Sequence, residues 1–315
     1  MAINAAMRLA LKALSYPDLD TKNTYKLQRQ LEVAAHPYLK PLFAMWDHAV
    51  AVGGHTVPVR VFLPARDLVP PKILLFFHGG GWVVGNIDSY TTICAAMARL
   101  TRHIVVSVDY RLAPEFRFPV GLEDCYAVAR ELFELSYVFQ VEPEHITLIG
   151  DSAGGNLAAA VSLMARDRGE FRPRRQILLY PAVSSDHGPA SPWPSVRECG
   201  TDYLLTAKKI NDFMDLYKGS DADLANPYLA PILAPDLSGQ PDTLIVAAQY
   251  DPLRDEAAAY AERLRAAGNR CDYLCLDDAL HGFLALPERF VHVRRCYEAI
   301  NTFLDCSEEG KCEAE

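Results

Sequence analysis

From Lys72 onward the chain alternates between short apolar runs and longer stretches of helical period, and this alternation limits the fold more than any other feature. "KILLFFH", "HIVVSVDY", "HITLIG", "QILLYP", "TLIVAAQ" and "CDYLCLDD" are rich in β-branched and large apolar residues. Between them stand "SYTTICAAMARLT", "GLEDCYAVARELFEL", "NLAAAVSLMARDRG" and "DEAAAYAERLRAAG", and a last helix is expected from about Glu288 to Asp305. Strands joined by helices of this length make right-handed crossovers, so the fold class is α/β: a mostly parallel central sheet with helices on both faces. "KILLFFH" is apolar on both faces, which predicts a central strand. Ahead of it, "HAVAV" and "HTVPVRVFLP" flank Gly53 and Gly54 and predict a hairpin.

Two segments do not fit the alternation. Residues 1–45 read as helical and half-apolar, broken at "HPYLKP". The stretch 185–240 is rich in proline and polar residues yet holds helical pieces, and it is too long for a plain loop inside a compact domain. Both are expected to fold over the sheet as a helical cap, leaving residues 46–184 and 241–315 as the two parts of one core. The acidic tail "SEEGKCEAE" is expected to fray.

In such a sheet, reactive groups gather beyond the carboxyl ends of the strands. Ser152 stands there, in Gly150-Asp151-Ser152-Ala153-Gly154, between a strand and a helix expected to start near Gly155. The G-x-S-x-G form lets strand and helix backbones pass closely while the serine holds a strained conformation with its hydroxyl exposed. The alternative is a plain strand-to-helix turn with Ser152 or Asp151 as helix cap. A nucleophilic serine needs a base, an orienting acid and donors for an oxyanion. His78-Gly79-Gly80-Gly81 follows a buried strand directly, and amides of Gly80 and Gly81 can face a cavity together with that of Ala153. Of the nine histidines, His281 in "LDDALHGFLAL" follows the last strand, at the correct sheet edge. Asp251 is the first acid after "TLIVAAQ", whereas Asp255 and Glu256 open a helix, where carboxylates serve as caps or dipole partners. Trp82, directly after the glycines, reads either as a pocket wall or as a packed core aromatic. Trp193, between two prolines, reads as a lid contact or as cap packing.

With those residues in hand, the chain resembles the bacterial hormone-sensitive-lipase-like family of α/β-hydrolases. The likeness runs from about Lys72 to Phe303 and rests on "FFHGGGWVVG", "VDYRLAPEFRFP", "GDSAGGNLAAA", "NPYLAPILAPDLSGQPDTLIVAAQYDPLRDE" and "HGF". The resemblance implies hydrolysis of short-to-medium acyl esters through an acyl-serine. Ser152 would be nucleophile, His281 base, Asp251 orienter, and Gly80, Gly81 and Ala153 oxyanion donors, under a helical cap. Asp109, Arg111 and Glu115 of "DYRLAPE" read as structural ties below the site. Tyr90 departs from the family pattern, where histidine is frequent, and the cap stretch "PASPWPSVREC" matches no pattern, which leaves the substrate open.

The formal net charge of −9 disfavours nucleic acid and anionic membrane as partners. No stretch approaches the roughly 20 apolar residues of a membrane span, so no stable insertion is expected. The N-terminal run carries Arg8 inside its apolar part, which fits an amphipathic helix better than a signal peptide. The eight cysteines are scattered without metal-ligand spacing; no metal or cofactor is expected, and the compartment reads as cytoplasmic. A small-molecule ester is the expected partner, and two copies joined along the last sheet edge would make a homodimer. Two other activities stay open: an amide or formamide hydrolase with the same triad, and a non-catalytic small-molecule binder on the same fold.

Overall fold

The computed structural model describes residues 10–13, 15, 20–35, 44–64, 71–138 and 140–306. The break "HPYLKP", the tail "SEEGKCEAE" and most of the N-terminal run lie outside these residues. One eight-stranded sheet has the order β1-β2-β4-β3-β5-β6-β7-β8. Its strands are β1 (Met45–Val52), β2 (His55–Phe62), β3 (Ile73–Phe77), β4 (Ile104–Val108), β5 (Ile146–Asp151), β6 (Arg175–Leu179), β7 (Asp242–Tyr250) and β8 (Cys271–Leu280). β1 and β2 form the expected hairpin, and β2 runs antiparallel to β4. All remaining pairs are parallel.

Side-chain alternation divides the core between the two faces of the sheet. In β3, Ile73, Leu75 and Phe77 point to one face and Leu74 and Phe76 to the other, all buried. The first face is covered by α3 (Val120–Glu134), α4 (Ala153–Arg168) and α7 (Arg254–Ala266). The second is covered by α2 (Thr91–Thr101) and α8 (Val291–Cys306), so the last helix starts three residues later than expected, after a proline-containing turn. α4 is buried along Ala153–Ala165; its run of small residues lets it lie close to the sheet centre.

The helices α1 (Thr21–Ala35), α5 (Pro194–Cys199) and α6 (Ala207–Tyr217) lie outside this sandwich or on its rim. α1 belongs to the N-terminal stretch; α5 and α6 belong to the insertion between β6 and β7. The Thr206 side chain caps α6 by accepting the Lys209 amide, and Ile210, Met214 and Tyr217 form its buried stripe. α1 bridges α6 and the glycine-rich loop after β3. Lys22 pairs with Asp215 at 2.6 Å, the Arg29 guanidinium donates to the Val83 carbonyl at 2.7 Å, and the Gly85 amide donates to Glu32 at 2.9 Å. The "DYRLAPE" residues act as ties: Asp109 accepts the Ile87 amide, Arg111 pairs with the buried Asp124, and Glu115 pairs with Arg29. Among the described residues no helix is long and apolar enough to cross a membrane.

Candidate active site

Ser152 occupies the corner between β5 and α4 with φ 54° and ψ −118°, a backbone region that L-residues avoid. Close approach enforces the corner. A Cβ on Gly150 would lie 2.1 Å from the Gly154 carbonyl oxygen, and one on Gly154 would lie 1.9 Å from that of Phe77. The helix opens at Ala153, two residues before the sequence estimate, so the serine itself is the residue before the first helical turn.

The loops after β7 and β8 bring the other two groups to it. The Ser152 hydroxyl lies 2.9 Å from His281 Nε2, and His281 Nδ1 lies 2.7 Å from Asp251 Oδ2. The Asp251 side chain is 1% exposed and that of His281 12%. Asp251 Oδ1 also accepts the Leu253 amide at 2.9 Å, which fixes the carboxylate before α7 begins. The Tyr180 ring stands edge-on to the imidazole with centroids 4.9 Å apart. A carboxylate on Nδ1 places the proton there and leaves Nε2 as acceptor for the hydroxyl proton.

Ser152 and His281 border a cavity of about 210 Å³ that is also lined by Gly80, Gly81 and Ala153. As the first helical residue, Ala153 has an amide without an intrahelical acceptor, and the residue lines the same cavity. The glycine loop turns through three successive left-handed residues: Gly80 (φ 108°), Gly81 (φ 60°) and Trp82 (φ 60°). Trp82 is both things the sequence allowed, since it lines the cavity yet is 3% exposed and stacks on Tyr217 of α6 with centroids 4.5 Å apart. Trp193 is not among the cavity residues. Its indole N–H donates to Ser184 Oγ at 3.0 Å, because the proline-flanked turn folds the ring back onto the chain leaving β6.

Sequence reasoning missed Tyr90, Asp151, Ala182, Leu253 and Gly282 of the core as cavity residues, and three more that the insertion adds to the cavity. Leu205, Ile210 and Phe213 close it from α6 and its approach. The Phe213 ring lies directly against Gly81, where a Cβ would come within 2.4 Å of it. The only sequence signal was the apolar stripe of α6, which does not say which loop the stripe meets. His78 is wholly buried beneath the loop, stacked on Tyr110, and burial pushes it down to about 4, so it stays neutral.

A family model described as alpha/beta hydrolase fold matches residues 74–285. The chain is 40% identical over 236 residues to the carboxylic ester hydrolase LipN of Mycobacterium tuberculosis, a match covering 73% of this chain and 61% of that protein. It is 34% identical to the ethyl acetate hydrolase of Pseudomonas putida, covering 74% and 73%. A solved hyperthermophilic esterase from the archaeon Pyrobaculum calidifontis superposes with a TM-score of 0.84 at 33% identity, covering 98% of this chain and 99% of that one. The match thus spans less than two thirds of the length of LipN and about three quarters of the second relative.

Proposed function

The chain belongs to the α/β-hydrolase family, in its hormone-sensitive-lipase-like branch, and from that premise we propose that it is a serine carboxylesterase acting on small esters of short-to-medium acyl chains. The observation that supports this most is the unbroken relay from Ser152 Oγ through His281 to the buried Asp251, set beside a small apolar cavity. The names of similar proteins, carboxylesterase, ethyl acetate hydrolase and arylesterase, point the same way.

In this reading Ser152 Oγ attacks the ester carbonyl as His281 Nε2 takes its proton. The carbonyl oxygen becomes an oxyanion and takes hydrogen bonds from the amides of Gly80, Gly81 and Ala153, each worth roughly 3–4 kcal/mol to the transition state. Asp251 holds the imidazole in the right tautomer and stabilises the imidazolium. His281 then returns the proton to the leaving alcohol as the C–O bond breaks. A water deprotonated by the same imidazole attacks the acyl-serine, and collapse of the second tetrahedral intermediate releases the acid. No step needs a metal or an organic cofactor.

Helix α1 and the stretch 185–240 act as the cap, with Phe213 and Ile210 setting the room for the acyl chain. A reducing, cytoplasmic compartment is supported by the buried free thiols of Cys94, Cys125 and Cys296. A homodimer joined along β8 is supported by that strand's place at the sheet edge.

The test is hydrolysis of p-nitrophenyl acetate and butyrate against matched anilides, in the parent and in Ser152→Ala. Ester turnover that falls by at least about a thousandfold in the variant is expected, with the anilides far slower. Unchanged turnover in Ser152→Ala removes the serine mechanism, and anilides cleaved as fast as esters replace the esterase with an amidase.

A further inference from the structure

The carboxylate of Asp151 is not used by the relay, yet it lies between the relay and the glycine loop. It is the last residue of β5, 5% exposed, and borders the cavity. Oδ1 accepts the Gly79 amide at 2.8 Å, and Oδ2 accepts the Tyr90 hydroxyl at 3.1 Å. The Gly79 amide also lies 3.1 Å from Tyr90 Oη, so carboxylate, hydroxyl and amide close a ring of hydrogen bonds. The Tyr180 hydroxyl reaches Oδ2 at 3.5 Å, and its ring is the one set edge-on to His281. Burial pushes this carboxyl up to about 6, while the Gly79, Tyr90 and Tyr180 donors and the nearby His281 hold it down, so it is ionised under alkaline assay conditions.

We infer that Tyr90 is a positioning residue of the esterase site, holding the Gly79–Gly81 loop against the Ser152 turn through the Asp151 carboxylate. This rests on the esterase reading. Ionised and buried, the carboxylate needs donors. Without Tyr90 it keeps one short bond, from Gly79, and the long one from Tyr180. It can then rotate toward the cavity, where its negative charge faces the position of the developing oxyanion. That harms the transition state far more than it harms binding of a neutral ester. The Tyr90 ring is packed between Phe76 and His78, with centroids 5.7 Å and 5.4 Å away. Phenylalanine keeps that packing and removes only the hydroxyl.

The experiment compares the full chain with Tyr90→Phe, Asp151→Asn and the double variant at pH 8. It reads kcat and KM on p-nitrophenyl butyrate, thermal melting, and labelling of Ser152 by a fluorophosphonate. A lost hydrogen bond to a charged group predicts that Tyr90→Phe lowers kcat about tenfold or more with KM within about twofold. Because Tyr90 acts through Asp151, the same change in the Asp151→Asn background should cost less than about twofold. An equal loss in both backgrounds, or a Tyr90→Phe enzyme equal to the parent, overturns the inference. If Tyr90→Phe does not fold, Asp151→Asn carries the test: kcat reduced several-fold at constant KM supports the inference and kcat equal to the parent overturns it. A parent that neither turns over nor is labelled overturns the esterase reading and the inference with it; an active parent matched by its variants overturns the inference alone.

Discussion

At the scale of single residues, the site separates groups whose role follows from their place along the chain from groups whose role follows from what folds against them. Ser152, Asp251 and His281 were legible because each is the first chemically suitable residue after an apolar run, and parallel strands bring all such ends to one edge. Asp151 was not legible as more than a motif residue or helix cap. Its partners, Gly79, Tyr90 and Tyr180, come from two other loops, and no local pattern reports that packing. A pH effect on stability follows. The carboxyl is raised from 3.8 to about 6, so the folded state holds its proton more tightly than the unfolded chain does. The cost of burying the charge is absent below 3.8, grows between 3.8 and 6, and is complete above. Asp151→Asn should therefore be more stable than the parent at pH 8, by on the order of 3 kcal/mol. The gain should shrink to nothing by about pH 4. Urea unfolding at several pH values checks this, and a gain that does not vary with pH contradicts it.

At the scale of elements, helix periods and strand composition marked every strand, and the insertion was marked by its proline content, but the joints between insertion and core were not. Glu256, expected to be a cap or dipole partner of α7, stands in its first turn and is also a fully buried anchor. Its Oε1 accepts the amides of Val183 and Ser184 at 2.7 and 3.0 Å, and Oε2 lies 2.6 Å from His187 Nε2. Ser195 of α5 adds a second joint: its hydroxyl donates to the Pro252 carbonyl and its amide to Asp255, both at 2.7 Å. The insertion is thus tied to the turn that carries Asp251. Periodicity could not show this, because a buried acid and a surface acid look alike in the first turn of a helix. Glu256→Ala strips the acceptor from two buried amides and an imidazole. It should cost about 3–5 kcal/mol by urea unfolding. A cost under about 1 kcal/mol, the range of a surface substitution, would mean that these bonds do not hold the insertion.

At the scale of the whole molecule, the α/β class was legible from the alternation alone, while the size of the cavity was not, since it depends on how far α6 lies over the glycine loop. The cavity of about 210 Å³ is closed by Phe213 against Gly81, and in the proposed esterase reading this contact sets the room for the acyl group. Phe213→Ala should open it, and the ratio of kcat/KM for p-nitrophenyl octanoate over acetate should rise about tenfold or more, the scale of a few methylenes in an apolar pocket. A chain-length series measures it; an unchanged ratio places the acyl chain elsewhere. The proposed mechanism requires a covalent serine intermediate, and rapid-quench mass spectrometry with p-nitrophenyl butyrate tests that most directly. The predicted result is a burst of p-nitrophenol matching the enzyme concentration, with a transient butyryl adduct on the peptide that contains Ser152. Steady release of product with no adduct, or an adduct on another residue, would contradict it.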